Sequence, residues 1–387
     1  MTTVEPSVRK GLAGVVVDTT SVSMVNPETN SLTYRGYPVQ QLAAEYSFEE
    51  VAYLIWYGEL PTTEQLCGFT EAERARRSID RTLMGLLARL PETCHPMDVL
   101  RTAVSYLGAQ DPTEDDGTVE ANRIKALDLM AKLPTVVALD QRRRRGQEPI
   151  LPDPTLGFAG NFFHMCFGEV PDPEAVRAFD VSLILYAEHS FNASTFTARV
   201  VTSTLSDLYS AVTAGIGALK GPLHGGANEA VMNMIDEIGD PADAERWMLD
   251  ALANKRKVMG FGHRVYKAGD SRVPTMRAEL DRVAKTGGEP GERLMAIYTT
   301  LETVMLRERN LHPNLDFPAG PAYHLMGFDI PTFTPIFVMS RITGWTAHII
   351  EQLAANTLIR PLSSYVGVGE RSVPLAARRL AGSAGLA

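Results

Sequence analysis

The chain has 387 residues, 45% of them hydrophobic and 21% charged, with a formal net charge of -9. This is the profile of a globular protein with enough residues for one extended core or two domains. The acidic balance argues against general affinity for nucleic acid or membranes, so an anionic ligand would need local cationic clusters. The cysteines, Cys67, Cys94 and Cys166, are too widely spaced for a disulfide framework or a zinc site. We find no signal peptide and no spanning apolar run, which predicts a cytoplasmic protein.

In chain order the sequence reads as mostly helical, and we predict an all-α fold. The N-terminal runs GLAGVVVDTTSVSMV and SLTYRGY suggest one short hairpin. Ser47 to Glu50 forms a capping box ahead of an apolar helix that Gly58 ends. Asp172-Pro173 predicts a cap and first turn for a helix over 173–188. Thr334-Pro335 predicts the start of a long apolar helix that reaches about Leu353.

His224 lies in GPLHGGANEA, just before a run with helical periodicity. A histidine near a helix N-terminus meets free amides and positive dipole, which lower its pKa and keep the imidazole neutral. A neutral imidazole can donate a hydrogen bond to a developing enolate oxygen. The alternative is a glycine-rich turn with a capping histidine.

His263 lies in GFGHRVYKAGDSR, and Arg264, Lys267 and Arg272 follow it closely. The glycines allow a ligand to approach the backbone, and the cations suit phosphate or carboxylate groups. A histidine beside several cations fits a substrate with a carbonyl and several negative charges. The alternative is an exposed loop histidine.

Asp316 lies in PNLDFPAG, among leucine, phenylalanine and proline. Partial desolvation by these neighbours would raise the pKa of its carboxyl group and make it a better base. The alternative is an ordinary turn aspartate beside proline.

Arg341 is set in the apolar helix PIFVMSRITGWTAHII, where a cation needs an anionic partner. Either a buried structural pair or a ligand carboxylate would satisfy it. His189 follows the predicted helix 173–188 and precedes Asn192, Ser194 and Thr195. This polar cluster is equally consistent with helix capping and with substrate binding. The histidines are dispersed, which predicts no metal site.

Taken together, these segments resemble the citrate synthase family from about Tyr34 to about Gly369. The motifs, in order, are YRGYPVQQLA, HPMDVLRTAVSYLG, AKLPTVVA, AEHSFNAST, GPLHGGANEA, GFGHRVYKAGDSR, NLDF and the arginine helix followed by Arg360-Pro361. Their order and spacing make the resemblance specific.

The resemblance implies a nearly all-α, two-domain fold and a homodimer. The large, dimer-forming domain would comprise residues 1–224 and 323–387. A smaller inserted domain, residues 225–322, would close over the substrates. Partners would be small molecules, with neither nucleic acid nor membrane among them.

The resemblance also implies residue roles in a carbon–carbon condensation. His224 would donate to the thioester oxygen, Asp316 would remove the α-proton, and His263 would donate to the keto oxygen of oxaloacetate. The oxaloacetate carboxylates would be held by His189, Arg272, Arg341 and, across the dimer, Arg360. Coenzyme A would contact Lys255, Lys257, Gly260, Phe261, Gly262, Arg264, Lys267 and Arg309.

The C-terminal run AYHLMGFDIPTFTPIFVMSRITGWTAHIIEQLAANTLIRP is similar to the branch of the family that makes 2-methylcitrate. That branch would use propionyl-CoA as co-substrate, with no permanently bound cofactor. Propionyl-CoA and acetyl-CoA differ by one methylene, worth about 1–3 kcal/mol of discrimination, so we expect activity on both. Citrate synthesis from acetyl-CoA is the alternative within the family. A non-catalytic helical dimer that binds CoA or a carboxylate is the alternative from another class.

Overall fold

The computed structural model describes residues 8–266 and 268–373. Contacts divide these residues into two compact units, one made of those that fall within Met1–Thr19 and Ile359–Ala387 and the other of those within Thr20–Leu358. The helices of the described residues are α1 (Val39–Glu45), α2 (Phe48–Tyr57), α3 (Thr63–Arg74), α4 (Arg81–Ala88), α5 (Pro96–Gln110), α6 (Val119–Arg144), α7 (Phe158–Phe167), α8 (Pro173–Tyr186), α9 (Ala193–Thr202), α10 (Leu208–Leu219), α11 (Ala227–Ile238), α12 (Ala244–Ala253), α13 (Val273–Thr286), α14 (Gly288–Arg309), α15 (Asp316–Leu325) and α16 (Phe333–Ala354). The predicted all-α class is therefore confirmed.

The predicted hairpin is present, but its strands are short. Strands β1 (Ser23–Asn26) and β2 (Ser31–Tyr34) pair antiparallel, and β3 (Tyr37–Pro38) adds to β2. Tyr34 is fully buried, and its hydroxyl donates to the Ile184 carbonyl over 3.1 Å. The small sheet thereby packs its last β2 residue against the C-terminal end of α8.

Helix α16 runs through the centre of the Thr20–Leu358 unit and packs against α2, α6, α8, α9 and α10. It begins at Phe333, one residue before the predicted start, and its residues are buried almost throughout. Such burial explains why the helix is apolar on all faces rather than on one stripe. Arg341 is therefore a cation inside the core, only 1% exposed.

Local capping fixes where the helices near the site begin. The Asp172 carboxylate accepts from the Glu174 amide over 2.8 Å, with Pro173 in the first turn as predicted. The Asn192 side chain caps α9 by accepting from the Thr195 amide over 3.0 Å. The prediction of helix over 173–188 was slightly too long, because α8 ends at Tyr186. Its last carbonyls bond side chains from other elements, which leaves His189 in a loop.

The described residues of the terminal unit include one short 3-10 helix, Lys10–Leu12. Arg360 lies in this unit and is exposed. The predicted domain boundaries at 225 and 322 stay a prediction. No helix in the described parts of the chain has both the length and the apolar character needed to cross a membrane.

Candidate active site

The C-terminal end of α8 gathers two of the arginines that the sequence singled out. Arg341 donates through Nε to the Tyr186 carbonyl over 2.7 Å. Arg272 donates through Nη1 to the Leu185 carbonyl over 3.3 Å. The last carbonyls of a helix carry partial negative charge and lack partners within the helix, so cations are stabilised there. The helix end thus positions two guanidinium groups on adjacent carbonyls.

Arg341 has donor capacity left over. Within the described chain, its Nη1 and Nη2 atoms have no hydrogen-bond partner, and the guanidinium lies 4.7 Å from the centre of the Phe337 ring. Burial lowers the pKa of Arg341 to about 10, although the buried Glu188 carboxylate opposes that shift. A buried cation with free donors is costly until an anion reaches it. This geometry favours the ligand-carboxylate interpretation of Arg341.

Arg272 is already paired within the protein. Its Nε and Nη2 donate to the two Asp270 carboxylate oxygens over 2.9 and 2.7 Å. Asp270 also accepts from the Leu315 amide over 3.2 Å, next to Asp316. Burial alone would raise the pKa of Asp270, but the Arg272 guanidinium outweighs it and holds the pKa below its ordinary value. Only the Nη1 side of Arg272 therefore remains for a substrate carboxylate. Nothing in the sequence indicated this pairing with Asp270.

His224 lies in the loop between α10 and α11, with the nitrogen Nε2 turned toward Ser194. The Ser194 amide donates to Nε2 over 3.2 Å, and the Ser194 hydroxyl lies 2.8 Å from the same atom. Because an amide can only donate, Nε2 is the acceptor and the ring proton is on Nδ1. Burial, helped by the Arg341 charge, lowers the pKa of His224 to about 3. The ring is therefore neutral at physiological pH, although burial and the Arg341 charge, rather than the helix N-terminus that the sequence suggested, are the causes.

His263 is neutral as well, but it holds the other tautomer. Its Nδ1 accepts from the Val265 and Tyr266 amides, each over 3.1 Å, so Nε2 carries the proton. Burial, with the Arg272 charge, lowers the pKa of His263 to about 4. The His263 and His189 rings are in edge contact, with centroids 5.1 Å apart.

A short backbone pairing sets the His263 segment beside the Asp316 segment. The Gly262 amide donates to the His312 carbonyl over 2.8 Å, and the Asn314 amide donates to the Gly260 carbonyl over 2.9 Å. Gly260 has φ 85°, and a Cβ there would lie 2.7 Å from Val231 and 2.8 Å from Phe317. Only glycine fits this close approach. The GFG motif therefore aligns two loops, a role separate from its predicted contact with CoA.

Asp316 is the first residue of α15 and is partly buried. Burial raises the pKa of Asp316 to about 6, against the hydrogen bond from Tyr186 and the charge of Arg272. The Tyr186 hydroxyl donates to Oδ1 over 2.7 Å. A carboxylate with this pKa is ionised at pH 7 and remains a stronger base than an ordinary aspartate.

Tyr186 is a site residue that sequence reasoning missed as such. It falls within the predicted helix over 173–188, and a position on a helix does not show that its hydroxyl meets Asp316. Burial, together with the Asp316 charge, raises the pKa of Tyr186 well above its ordinary value, so it stays a donor. Its position three residues before His189 was the one available signal.

His189 is 7% exposed, and its Nε2 is buried without a partner among the described residues. Burial, and then the Arg272 charge, lower the pKa of His189 well below its ordinary value. An orphaned buried nitrogen beside two arginines is what a polar ligand would satisfy. Of the two interpretations left open for this cluster, capping holds for Asn192, whereas the His189 ring packs against His263 and Tyr266.

The charged side chains predicted to contact CoA lie at the surface where the structure describes them. Lys255, Lys257 and Arg264 are exposed, and Arg309 donates to the Leu252 carbonyl over 3.4 Å at the end of α12. Lys267 lies outside the described residues. The proposed roles of these residues and of Arg360 stay predictions.

Known proteins match this chain along nearly its whole length. The family described as citrate synthase, C-terminal domain, matches residues 11–362. The 2-methylcitrate synthase of Mycobacterium tuberculosis H37Rv is 64% identical over 369 residues, 95% of this chain and 93% of that protein. The citrate synthase of Mycolicibacterium smegmatis is 65% identical over 368 residues, 95% of this chain and 97% of that protein.

A solved structure matches the fold with a TM-score of 0.91 and 34% identity, covering 96% of this chain and all of the other, 100%. It is the ternary complex of carboxymethyl coenzyme A and oxaloacetate with citrate synthase from Thermoplasma acidophilum. With a family match over most of its residues and relatives of this similarity, the chain belongs to the citrate synthase family of condensing acyltransferases.

Proposed function

We propose that this enzyme condenses propionyl-CoA with oxaloacetate and water to give 2-methylcitrate and CoA, and that it also accepts acetyl-CoA. One observation carries the chemistry: the charges of Arg272 and Arg341 both act on the carboxylate base Asp316. Each also acts on one of two neutral imidazoles, His263 and His224, that carry their protons on opposite nitrogens. The acyl preference is supported by the relative named 2-methylcitrate synthase, 64% identical over 95% of this chain.

The first step is removal of a proton from the α-carbon of the thioester. Such a proton is far less acidic than a carboxylic acid, so Asp316 alone would stall unless the enolate oxygen were stabilised at the same time. His224 supplies that donor through Nδ1–H. A neutral imidazole is suited to this because it shares a proton without first having to lose a positive charge. The product of the step is an enolate, whose oxygen accepts the hydrogen bond from His224, and a protonated Asp316.

The second step forms the carbon–carbon bond. The enolate carbon attacks the keto carbon of oxaloacetate as the thioester carbonyl re-forms, and the keto oxygen takes a proton from Nε2 of His263. The proton that Asp316 took in the first step then restores the His263 ring, so both groups return to their starting forms. Arg341, the Nη1 side of Arg272 and His189 hold the oxaloacetate carboxylates in the orientation that the attack requires. Water then cleaves the thioester of the condensed intermediate, which releases CoA and leaves the new carboxylate.

The proposal includes a cytoplasmic homodimer in which residues 225–322 close over the substrates. Closure would exclude water until condensation is complete and so prevent early thioester hydrolysis. Arg360 of the partner subunit would reach an oxaloacetate carboxylate. Lys255, Lys257, Arg264, Lys267 and Arg309 would attract the phosphates of CoA, which a net acidic chain could not attract through its overall field.

The choice of acyl group is a matter of degree. One methylene in an apolar pocket contributes about 1–3 kcal/mol, or roughly ten- to two-hundredfold, to specificity. The relative named citrate synthase is 65% identical to this chain, about as similar as the one named 2-methylcitrate synthase. Citrate synthesis is therefore the second candidate function.

The test is release of free thiol from propionyl-CoA and from acetyl-CoA, each with and without oxaloacetate. We expect oxaloacetate-dependent release with the higher kcat/KM for propionyl-CoA. A higher kcat/KM for acetyl-CoA would assign the enzyme to citrate synthesis. Binding of both ligands without thiol release, in a folded dimer, would support the non-catalytic alternative and contradict the proposal.

A further inference from the structure

The loop that carries His189 contains a backbone conformation that needs an explanation. Ser190, the next residue, has φ 51°, in the left-handed region that serine seldom adopts. A residue other than glycine keeps such a conformation only where its surroundings fix it. The direction in which His189 points depends on this turn, because the two residues share a peptide bond.

Two side chains hold the Ser190 amide. It donates to the Ser23 hydroxyl over 2.9 Å and also to Oε1 of Glu188. The Ser23 hydroxyl in turn donates to the same Glu188 oxygen over 2.8 Å. Ser23 belongs to β1 and is far from the loop in sequence, so the sheet fixes the residues on both sides of His189.

Two residues of α16, Gly344 and His348, contact the Glu188 carboxylate. The carboxylate is fully buried, and His348 Nε2 lies 2.9 Å from Oε1. Burial alone would raise the pKa of Glu188, but His348 lowers it, so the carboxylate is ionised and can only accept, and Nε2–H of His348 is the donor. At Gly344, a Cβ would overlap Oε2 of Glu188, so the helix leaves the carboxylate no room to move.

We propose that Ser23, Glu188 and His348 form a clamp that fixes Ser190 in the left-handed conformation and thereby orients His189 toward oxaloacetate. These are positioning residues, because they act on the substrate through His189. The inference rests on the proposed role of His189 as an oxaloacetate ligand.

Ser23→Ala is the informative variant, because it loosens the clamp without changing any charge. Removing the Glu188 charge would have two opposite effects on an anionic substrate: the loop would loosen, and a nearby negative charge would vanish. Glu188→Asp is a second charge-preserving variant, since it withdraws the carboxylate by one methylene. Ser23→Thr, which keeps a hydroxyl, serves as the conservative rescue.

We expect Ser23→Ala to raise the KM for oxaloacetate by roughly three- to tenfold, as loss of one buried hydrogen bond implies, with the KM for acyl-CoA unchanged. Ser23→Thr should restore the KM. Thr135→Ala is the matched control, because it removes a buried hydroxyl that bonds the Arg77 carbonyl over 2.7 Å, away from the site. It should leave both KM values unchanged.

A double-mutant cycle with His189→Ala decides whether the clamp acts through His189. If it does, Ser23→Ala should have no further effect on the oxaloacetate KM once His189 is gone. Additive effects, or an unchanged KM in both Ser23→Ala and Glu188→Asp, would overturn the clamp. If His189→Ala itself left the oxaloacetate KM unchanged, the proposed substrate role of His189 would fail instead.

Discussion

His224 and His263 are held as opposite tautomers by their hydrogen-bond partners. The Ser194 amide fixes His224 with its proton on Nδ1, whereas the Val265 and Tyr266 amides fix His263 with its proton on Nε2. Both are neutral, because burial and a neighbouring arginine lower each pKa. Backbone amides therefore decide which ring nitrogen donates. The neighbouring arginines, which we propose bind the anionic substrate, also help to keep both rings neutral.

The largest effect should come from Asp316, the proposed base of the first step. Asp316→Asn keeps the shape of the side chain and removes its basicity. We expect kcat to fall by roughly a hundred- to ten-thousandfold, while oxaloacetate binding persists. Thiol-release kinetics and calorimetric titration with oxaloacetate would measure the two effects. Turnover within tenfold of the parent enzyme would contradict the assignment of Asp316.

Replacing each histidine by asparagine should separate their roles. Each change is expected to lower kcat by about a hundred- to a thousandfold, as loss of one oriented donor does. His224→Asn should also abolish exchange of the thioester α-proton with deuterated water, whereas His263→Asn should retain it. Mass spectrometry of recovered acyl-CoA measures the exchange. Equal loss of exchange in both variants would show that the two rings do not act in separate steps.

The pH profile of kcat/KM should contain one acid limb, set by the base. Burial raises the pKa of Asp316 to about 6, so the active carboxylate is lost as pH falls through that value. Below it, kcat/KM should fall about tenfold per pH unit. The histidine pKa values, about 3 and about 4, lie lower. A further limb near neutral pH that His224→Asn or His263→Asn removes would show that one ring is charged.

Tyr186→Phe should move that acid limb upward. The Tyr186 hydroxyl donates to Asp316 over 2.7 Å and favours its ionised form, so its loss raises the pKa of the carboxyl group. The measurement is the same pH profile on the variant. Tyr323→Phe is the matched control, because that buried hydroxyl donates to Ser182 over 3.0 Å. An acid limb at the same pH in Tyr186→Phe would show that the Tyr186 hydrogen bond does not affect the pKa of Asp316 in the working enzyme.

Ser194→Ala should have the smallest effect on kcat, and it tests directly whether the backbone amide fixes the tautomer of His224. The Ser194 amide remains, so the tautomer of His224 is kept, and we expect a loss in kcat of about two- to tenfold from the missing hydroxyl. His263 has no equivalent, because both donors to its Nδ1 are amides. A loss as large as that of His224→Asn would mean that the hydroxyl, and not the amide, fixes the ring.

Much of the fold followed from local signals in the chain. The Ser47 capping box, the Asp172-Pro173 start of α8 and the apolar run of α16 are each set by residues within a few positions of one another. The C-terminal end of α8 did not follow from local signals. The helix stops at Tyr186, where its last carbonyls bond arginine and tyrosine side chains from elsewhere in the chain. Such partners are invisible to any local pattern.

By itself the sequence determined the family and the helical class, and it singled out His224, His263 and Asp316 as candidate site residues, because a motif needs only its neighbours to be recognised. The tertiary structure alone decided the tautomers, the pairing of Arg272 with Asp270, and the contact of Tyr186 with Asp316, 130 residues away. It also decided that Ser23 meets Ser190 across 167 residues. Hydrogen bonds and burial depend on distance in space, and only packing of the whole chain fixes those distances.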